Sequence, residues 1–136
     1  MTLDPVLKKQ IQSMFDKAER SLLSASHDLE DENPDFASSR AYYGAFYAIE
    51  GLLVFKGLTF SKHAGVIAAF NLHFIKSGIF PKYFSKHIAK LFRDRQIGDY
   101  DFDESITMAD AKNDIALATL IVAKSREFLE NEGALK

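Results

Sequence analysis

Apolar residues in the first part of the chain recur at steps of three and four: Leu7, Ile11, Met14, Ala18, Leu22, Ala25 and Leu29. This spacing puts them on one stripe of a long helix, expected to end in the acidic cluster Asp28 to Glu32 before Asn33-Pro34 turns the chain. Proline is tolerated in the first turn of a helix and breaks its interior, and periodicity restarts beside each of Pro5, Pro34 and Pro81. The pattern therefore predicts a second helix over 34–56 stopped by Gly57 and a third over about 61–76 capped at Ser61 and stopped by Gly78. A fourth runs from Pro81 toward Gly98, and a fifth covers about 105–132. The apolar run Ile115 to Ala123 predicts that the fifth is buried over most of its circumference. No strand-like alternation competes. The expected fold class is all-α, an up-and-down bundle of four long antiparallel helices plus a shorter one, in a single domain over residues 1–136.

The second helix carries three stripes. Tyr42, Phe46, Ile49 and Leu53 read as core. Ala37, Ala41, Gly44, Ala48 and Gly51 form a small-residue ridge against which another backbone can lie; glycine inside a helix costs about 1 kcal/mol relative to alanine, so a packing reason is expected. The ridge and the fourth helix together predict a homodimer. Arg40, Tyr43, Tyr47 and Glu50 share the third stripe, which is either a ligand or partner surface or an amphipathic boundary of half-buried tyrosines.

Charge adds little globally. Lys plus Arg number 17 against 19 Asp plus Glu, and a net charge of −2 creates no global field that recruits nucleic acid or an anionic membrane, and no DNA partner is expected. Any basic site is local. With no Cys, disulfides and thiolate chemistry are excluded. The start MTLDPVLKKQIQ lacks a leader pattern and no apolar run reaches membrane-spanning length, so a cytoplasmic protein is expected. Lys62 and His63, in FSKHAG, place cations in a first helical turn, where the dipole favours anions; they are read either as a phosphate site or as solvated side chains. His27, His73 and His87 show no metal-ligand spacing, so no metal and no cofactor are expected.

The stretch LFRDRQIGDYDF, Leu91 to Phe102, holds the sharpest question. Phe84, Ile88, Leu91 and Arg95 fall on one stripe, so Arg95 continues the core line while Arg93 points away. A buried guanidinium must be paired or must line a cleft. If Gly98 ends the helix, the chain folds back and brings Asp99, Tyr100 and Phe102 to Arg95.

Taken together, SRAYYGAFYAIEGLLVFKGL, FSKHAGVIAAFNLHFIKSGIFPK and Arg95 followed by GDYDF resemble the small prokaryotic members of the HEPN family, the higher eukaryote and prokaryote nucleotide-binding domains. The resemblance implies a helical bundle, a homodimer and a minimal nucleotidyltransferase as toxin–antitoxin partner. It also implies metal-independent ribonuclease chemistry based on an arginine and a histidine four to six intervening residues later. Carried onto this chain, the arginine is Arg95 and Tyr100 stands where the histidine would; the position two residues later, a modifiable tyrosine in active members, is Phe102. A phenol of pKa about 10 is a poor general base at neutral pH. Three functions are then open. One is a catalytically weak module binding a nucleotide, RNA or the nucleotidyltransferase through Arg40, Tyr43, Tyr47, Lys62, His63, Arg95 and Tyr100. The second is an RNA-cleaving toxin with Arg95 and Tyr100 as its catalytic pair, and the third is a purely structural dimer. The missing histidine favours the first.

Overall fold

The computed structural model describes residues 3–102 and 105–136. Five α-helices, α1 (Pro5–Glu30), α2 (Pro34–Phe55), α3 (His63–Phe70), α4 (Tyr83–Tyr100) and α5 (Met108–Asn131), account for the regular structure, with a π-helical turn, Asn71–Ile75, continuing α3. Local chemistry explains the ends. Pro5 and Pro34 open α1 and α2, and the Asp4 carboxylate accepts from the Val6 amide at 2.8 Å. Thr107 and Asp110 form a reciprocal capping box on α5. Gly57 and Gly78 adopt positive φ just beyond α2 and the π-helical turn, as expected for left-handed stops.

Helix α2 is the mast of the bundle and packs on α1, α4 and α5. Its neighbours are read off the contacts: Gly44 meets Leu22 and Gly51 meets Phe15, so α1 and α2 run antiparallel. Tyr43 meets Arg95 and the Gly98 backbone lies on Asp35, so α4 is also antiparallel to α2. Ser38 meets Asp114 and Phe55 meets Phe128, so α5 runs alongside α2 in the same sense. The two up and two down helices are those the periodicity predicts. A single large apolar cluster of Ile11, Phe15, Tyr42, Ile49, Phe74 and Leu91 with their neighbours fills the centre.

Four details differ from the sequence expectations. The cap of α3 is Lys62, in extended geometry and without a side-chain cap bond, so Ser61 does not perform that role. Helix α5 buries one stripe, Ala111, Asp114, Ala118, Ile121, Val122, Ser125 and Leu129, while Ala116, Thr119 and Ala123 face outward; its apolar run is long because alanines populate both sides. The small-residue ridge of α2 is occupied within the chain. A Cβ on Gly44 would lie 2.8 Å from Leu22 Cδ2 and 3.3 Å from the Ala18 carbonyl, and one on Gly51 would lie 2.8 Å from Phe15 Cε2. It therefore seats α1 rather than a second copy. Finally, α4 passes through Gly98 and ends at Tyr100. The glycine is there for proximity, because a Cβ would stand 2.9 Å from the Asp35 carbonyl oxygen.

That contact yields a signed prediction. Alanine normally stabilises a helix interior by about 1 kcal/mol over glycine. At Gly98 the new methyl meets backbone, which cannot swing aside, so Gly98→Ala is expected to destabilise the protein by about 1–3 kcal/mol. Urea unfolding of the two proteins measures this, and a gain in stability would contradict the packing of α2 on α4.

Candidate functional site

Helix α4 delivers Arg95 by continuing the buried line Phe84, Ile88 and Leu91 to the edge of the core. The guanidinium is held from several directions. Its Nη2 donates to Tyr43 Oη at 2.6 Å and, over a longer 3.4 Å, to Tyr100 Oη. Nε lies 3.0 Å from Asp99 Oδ2 as an ion pair without good hydrogen-bond alignment. The cationic carbon sits 5.6, 5.3 and 5.4 Å from the ring centres of Tyr42, Tyr43 and Tyr100, within the range where ring quadrupoles attract a cation.

Beneath it lies a second layer. Tyr42 Oη and His63 Nδ1 are 2.8 Å apart, and the imidazole stacks on Phe46 at 4.2 Å between centres. Burial, reinforced by the Arg95 charge, pushes the His63 pKa down, and burial pushes the Tyr42 phenol well up. The Tyr42 hydroxyl and the His63 imidazole share this hydrogen bond, whose direction follows the imidazole tautomer. His63 is thus engaged by the aromatic cluster of Tyr42, Tyr43 and Phe46.

The remaining sequence candidates separate. Tyr43 joins Arg95, whereas Tyr47, 5.9 Å from Tyr43 between ring centres, is capped by Lys17 Nζ at 4.7 Å. Lys17 also opposes the upward shift that burial imposes on Glu50. Arg40 and Lys62 are solvent-exposed. Tyr100 reaches Arg95 although α4 does not break, because its long side chain lies back along the helix; it remains 67% exposed. Phe102 does not approach the guanidinium and is 99% exposed. Among the described residues no cluster of His, Asp or Glu suits a metal ion.

A buried polar network adjoins this site and was not anticipated from the periodicity. Lys90 Nζ bridges Asp94 Oδ2 at 2.6 Å and Asp114 Oδ1 at 2.8 Å, and Ser38 Oγ donates to Asp114 Oδ2 at 2.9 Å. Three helices meet there, immediately before Arg95. Asp114 is fully buried, and desolvation with the Asp94 hydrogen bond raises its pKa to about 7. Asp94 is also desolvated, but its hydrogen bonds to Asp114 and Lys90 outweigh this and lower its pKa. Below about pH 7 the cluster is neutral, with one cation, one carboxylate and one protonated Asp114; above it the cluster carries one net negative charge. Its signal in the sequence was present: Asp114 interrupts the line Ala111, Ala118, Ile121 and Ser125 on the inner face of α5.

Fold and site together define a small helical bundle in which an arginine near the end of the fourth helix meets aromatic hydroxyls from the second. The helical bundle is the fold of the HEPN domain, and the HEPN family model matches residues 11–128. The chain belongs to the HEPN family. It is similar to two Methanocaldococcus jannaschii proteins provisionally named toxins. MJ0142 is 30% identical over 129 residues, covering 95% of this chain and 88% of its own length; MJ0605 is 31% identical over 128 residues, covering 94% and 95%. A UPF0332 protein of Thermotoga maritima is 43% identical over 84 residues, 62% of this chain and 64% of its own length.

The shared proton predicts a pH effect. Asp114 has a folded pKa of about 7, above that of an unfolded aspartate, so the folded state binds the extra proton and stability falls as pH rises from about 4 to about 7. His63 and His87, lowered by burial, act oppositely below about pH 6.5. The diagnostic is therefore the difference between wild type and Asp114→Asn, which mimics the protonated acid. The variant is expected to gain relative thermal stability as pH rises from about 4 to about 7 and to hold that gain above it; parallel melting curves across that range would refute a protonated Asp114.

Proposed function

We propose that this HEPN protein binds a phosphate-bearing ligand, a nucleotide or RNA, at Arg95, and that it has little or no ribonuclease activity. A single observation carries the second part: Tyr100 occupies the position expected for a catalytic histidine, with its hydroxyl 3.4 Å from Arg95. The nearest alternative imidazole, His63, is tied through Nδ1 to Tyr42 and partly desolvated. General acid–base catalysis typically contributes about a hundred- to ten-thousand-fold, so its loss leaves phosphate binding without efficient cleavage. Arg95 supplies the charge, and the exposed Tyr100 ring provides a face for a base. Homodimerisation, which places two such arginines across one cleft, and docking of a small nucleotidyltransferase belong to the same reading.

The toxin designation of two relatives supports the competing function, RNA cleavage, in which Arg95 stabilises a charged phosphorane. The two readings separate in one assay. Wild type is expected to bind a short RNA or ATP in a salt-sensitive manner, to lose that binding in Arg95→Ala, and to leave RNA uncut in the presence of chelator. Tyr100→His is expected to raise cleavage. Vigorous wild-type cleavage abolished by Arg95→Ala would establish the toxin reading instead. Light scattering is expected to give about twice the chain mass of 15.3 kDa, and a monomer would remove the two-arginine cleft.

A further inference from the structure

The net charge of −2 conceals a strong segregation: residues 51–93 hold seven of the 17 Lys and Arg and none of the 19 Asp and Glu, a local charge of +7 against −9 elsewhere. Part of this charge is used internally, since Lys90 enters the buried network and Lys56 lies over the Phe74 ring. The rest is displayed. Lys82, which precedes α4 in helical geometry, Lys86 and Arg93 are exposed at spacings of four and seven residues, and so share one stripe with Ala89 between them. Lys76 joins the stripe at its start, where it and Lys82 line the same depression beside Leu72. Among the described residues Lys76, Lys82 and Lys86 form no ion pair, and Arg93 only brushes the Asp94 carboxylate at 3.7 Å.

This placement is unfavourable for the free protein. Lys82 and Lys86 stand at the start of α4, where the helix dipole repels cations, the first turn has no acidic residue, and the two like charges are four residues apart. A ligand carrying regularly spaced negative charge would remove all of these penalties. Lys82 to Arg93 spans eleven residues, about 16 Å of helix, which suits an extended polyanion rather than a single phosphate. Tyr83, 52% exposed, and Leu72, 55% exposed, flank the row and offer faces for unstacked bases. A convex helix cannot read the deep, narrow major groove of duplex RNA. We propose that the outer face of α4, with Lys76, is a track for the phosphate backbone of single-stranded RNA. It lies on the side of α4 opposite Arg95, so it is a second surface that stands or falls independently of the Arg95 site.

The test is fluorescence anisotropy of a labelled, mixed-sequence single-stranded RNA with the full chain. Replacing Lys82, Lys86 and Arg93 together by Gln is expected to weaken binding about tenfold or more and to flatten the plot of log affinity against log salt by about 2, at roughly 0.7 per lost phosphate contact. A charge-matched control, Lys8→Gln, Lys9→Gln and Arg20→Gln, removes three exposed cations from α1 and is expected to retain wild-type affinity and slope. All variants change exposed positions, and circular dichroism checks their helicity. Arg95→Ala tests the other site: binding lost there with the α4 triple variant unaffected overturns the track while leaving the Arg95 reading intact. Equal losses in the α1 control, no wild-type binding to RNA, or wild-type binding to anionic lipid vesicles in place of RNA also overturn it.

Discussion

Everything near the site depends on neutralising charge that the bundle takes out of water. An isolated carboxylate at the position of Asp114 is prohibitively costly, and the bundle solves this with Lys90, Asp94, Ser38 and, below about pH 7, a proton on Asp114. Because the partners come from three helices, the solution has only one geometry. The angle at which α4 crosses α2 and α5 is therefore set by directional bonds, where apolar contacts alone would tolerate sliding. Arg95 comes directly after Asp94, so the same bonds fix where its guanidinium emerges.

The aromatic layer does the complementary task. A cation at the rim of a core needs partners that are polar at one end and apolar at the other, and tyrosine supplies both. Tyr42 is buried and shares a hydrogen bond with His63, Tyr43 hydrogen-bonds the guanidinium, and Tyr100 covers it from the solvent side. The result is a graded dielectric, dry beneath Arg95 and wet above it. An incoming phosphate would gain more from this guanidinium than from a freely solvated one, provided it displaces the loose Tyr100 and Asp99 contacts and leaves the short Tyr43 bond.

Much of the fold was legible because apolar spacing and proline position report directly on helices. The bundle, the stops at Gly57 and Gly78 and the inward course of Arg95 are consequences of that spacing. The errors arose where tertiary contact assigned a different task to a familiar residue. Gly98 looks like a helix stop but admits the Asp35 carbonyl, and the ridge of Gly44 and Gly51 looks like an interface between chains but receives Leu22 and Phe15. His63 looks like a first-turn cation, yet the aromatic layer claims it. The Lys90 network was harder to read because its members lie as far as 76 residues apart, and only the polar Asp114 on an apolar line marks it.

The π-helical turn carries a consequence of another kind. Lys76 donates to Asn71 five residues back, at 2.8 Å, so the turn holds one residue more than an α-helix would. The surplus lets both Phe74 and Ile75 reach the interior while Leu72 stays outside. The extra residue is accommodated as a swollen turn, with Phe70 before it and Phe80 and Phe84 after it all buried. Deleting one residue here would restore the regular helix at the expense of the joint burial of Phe74 and Ile75. Adding or removing a residue within this turn re-sorts which of its side chains are inside.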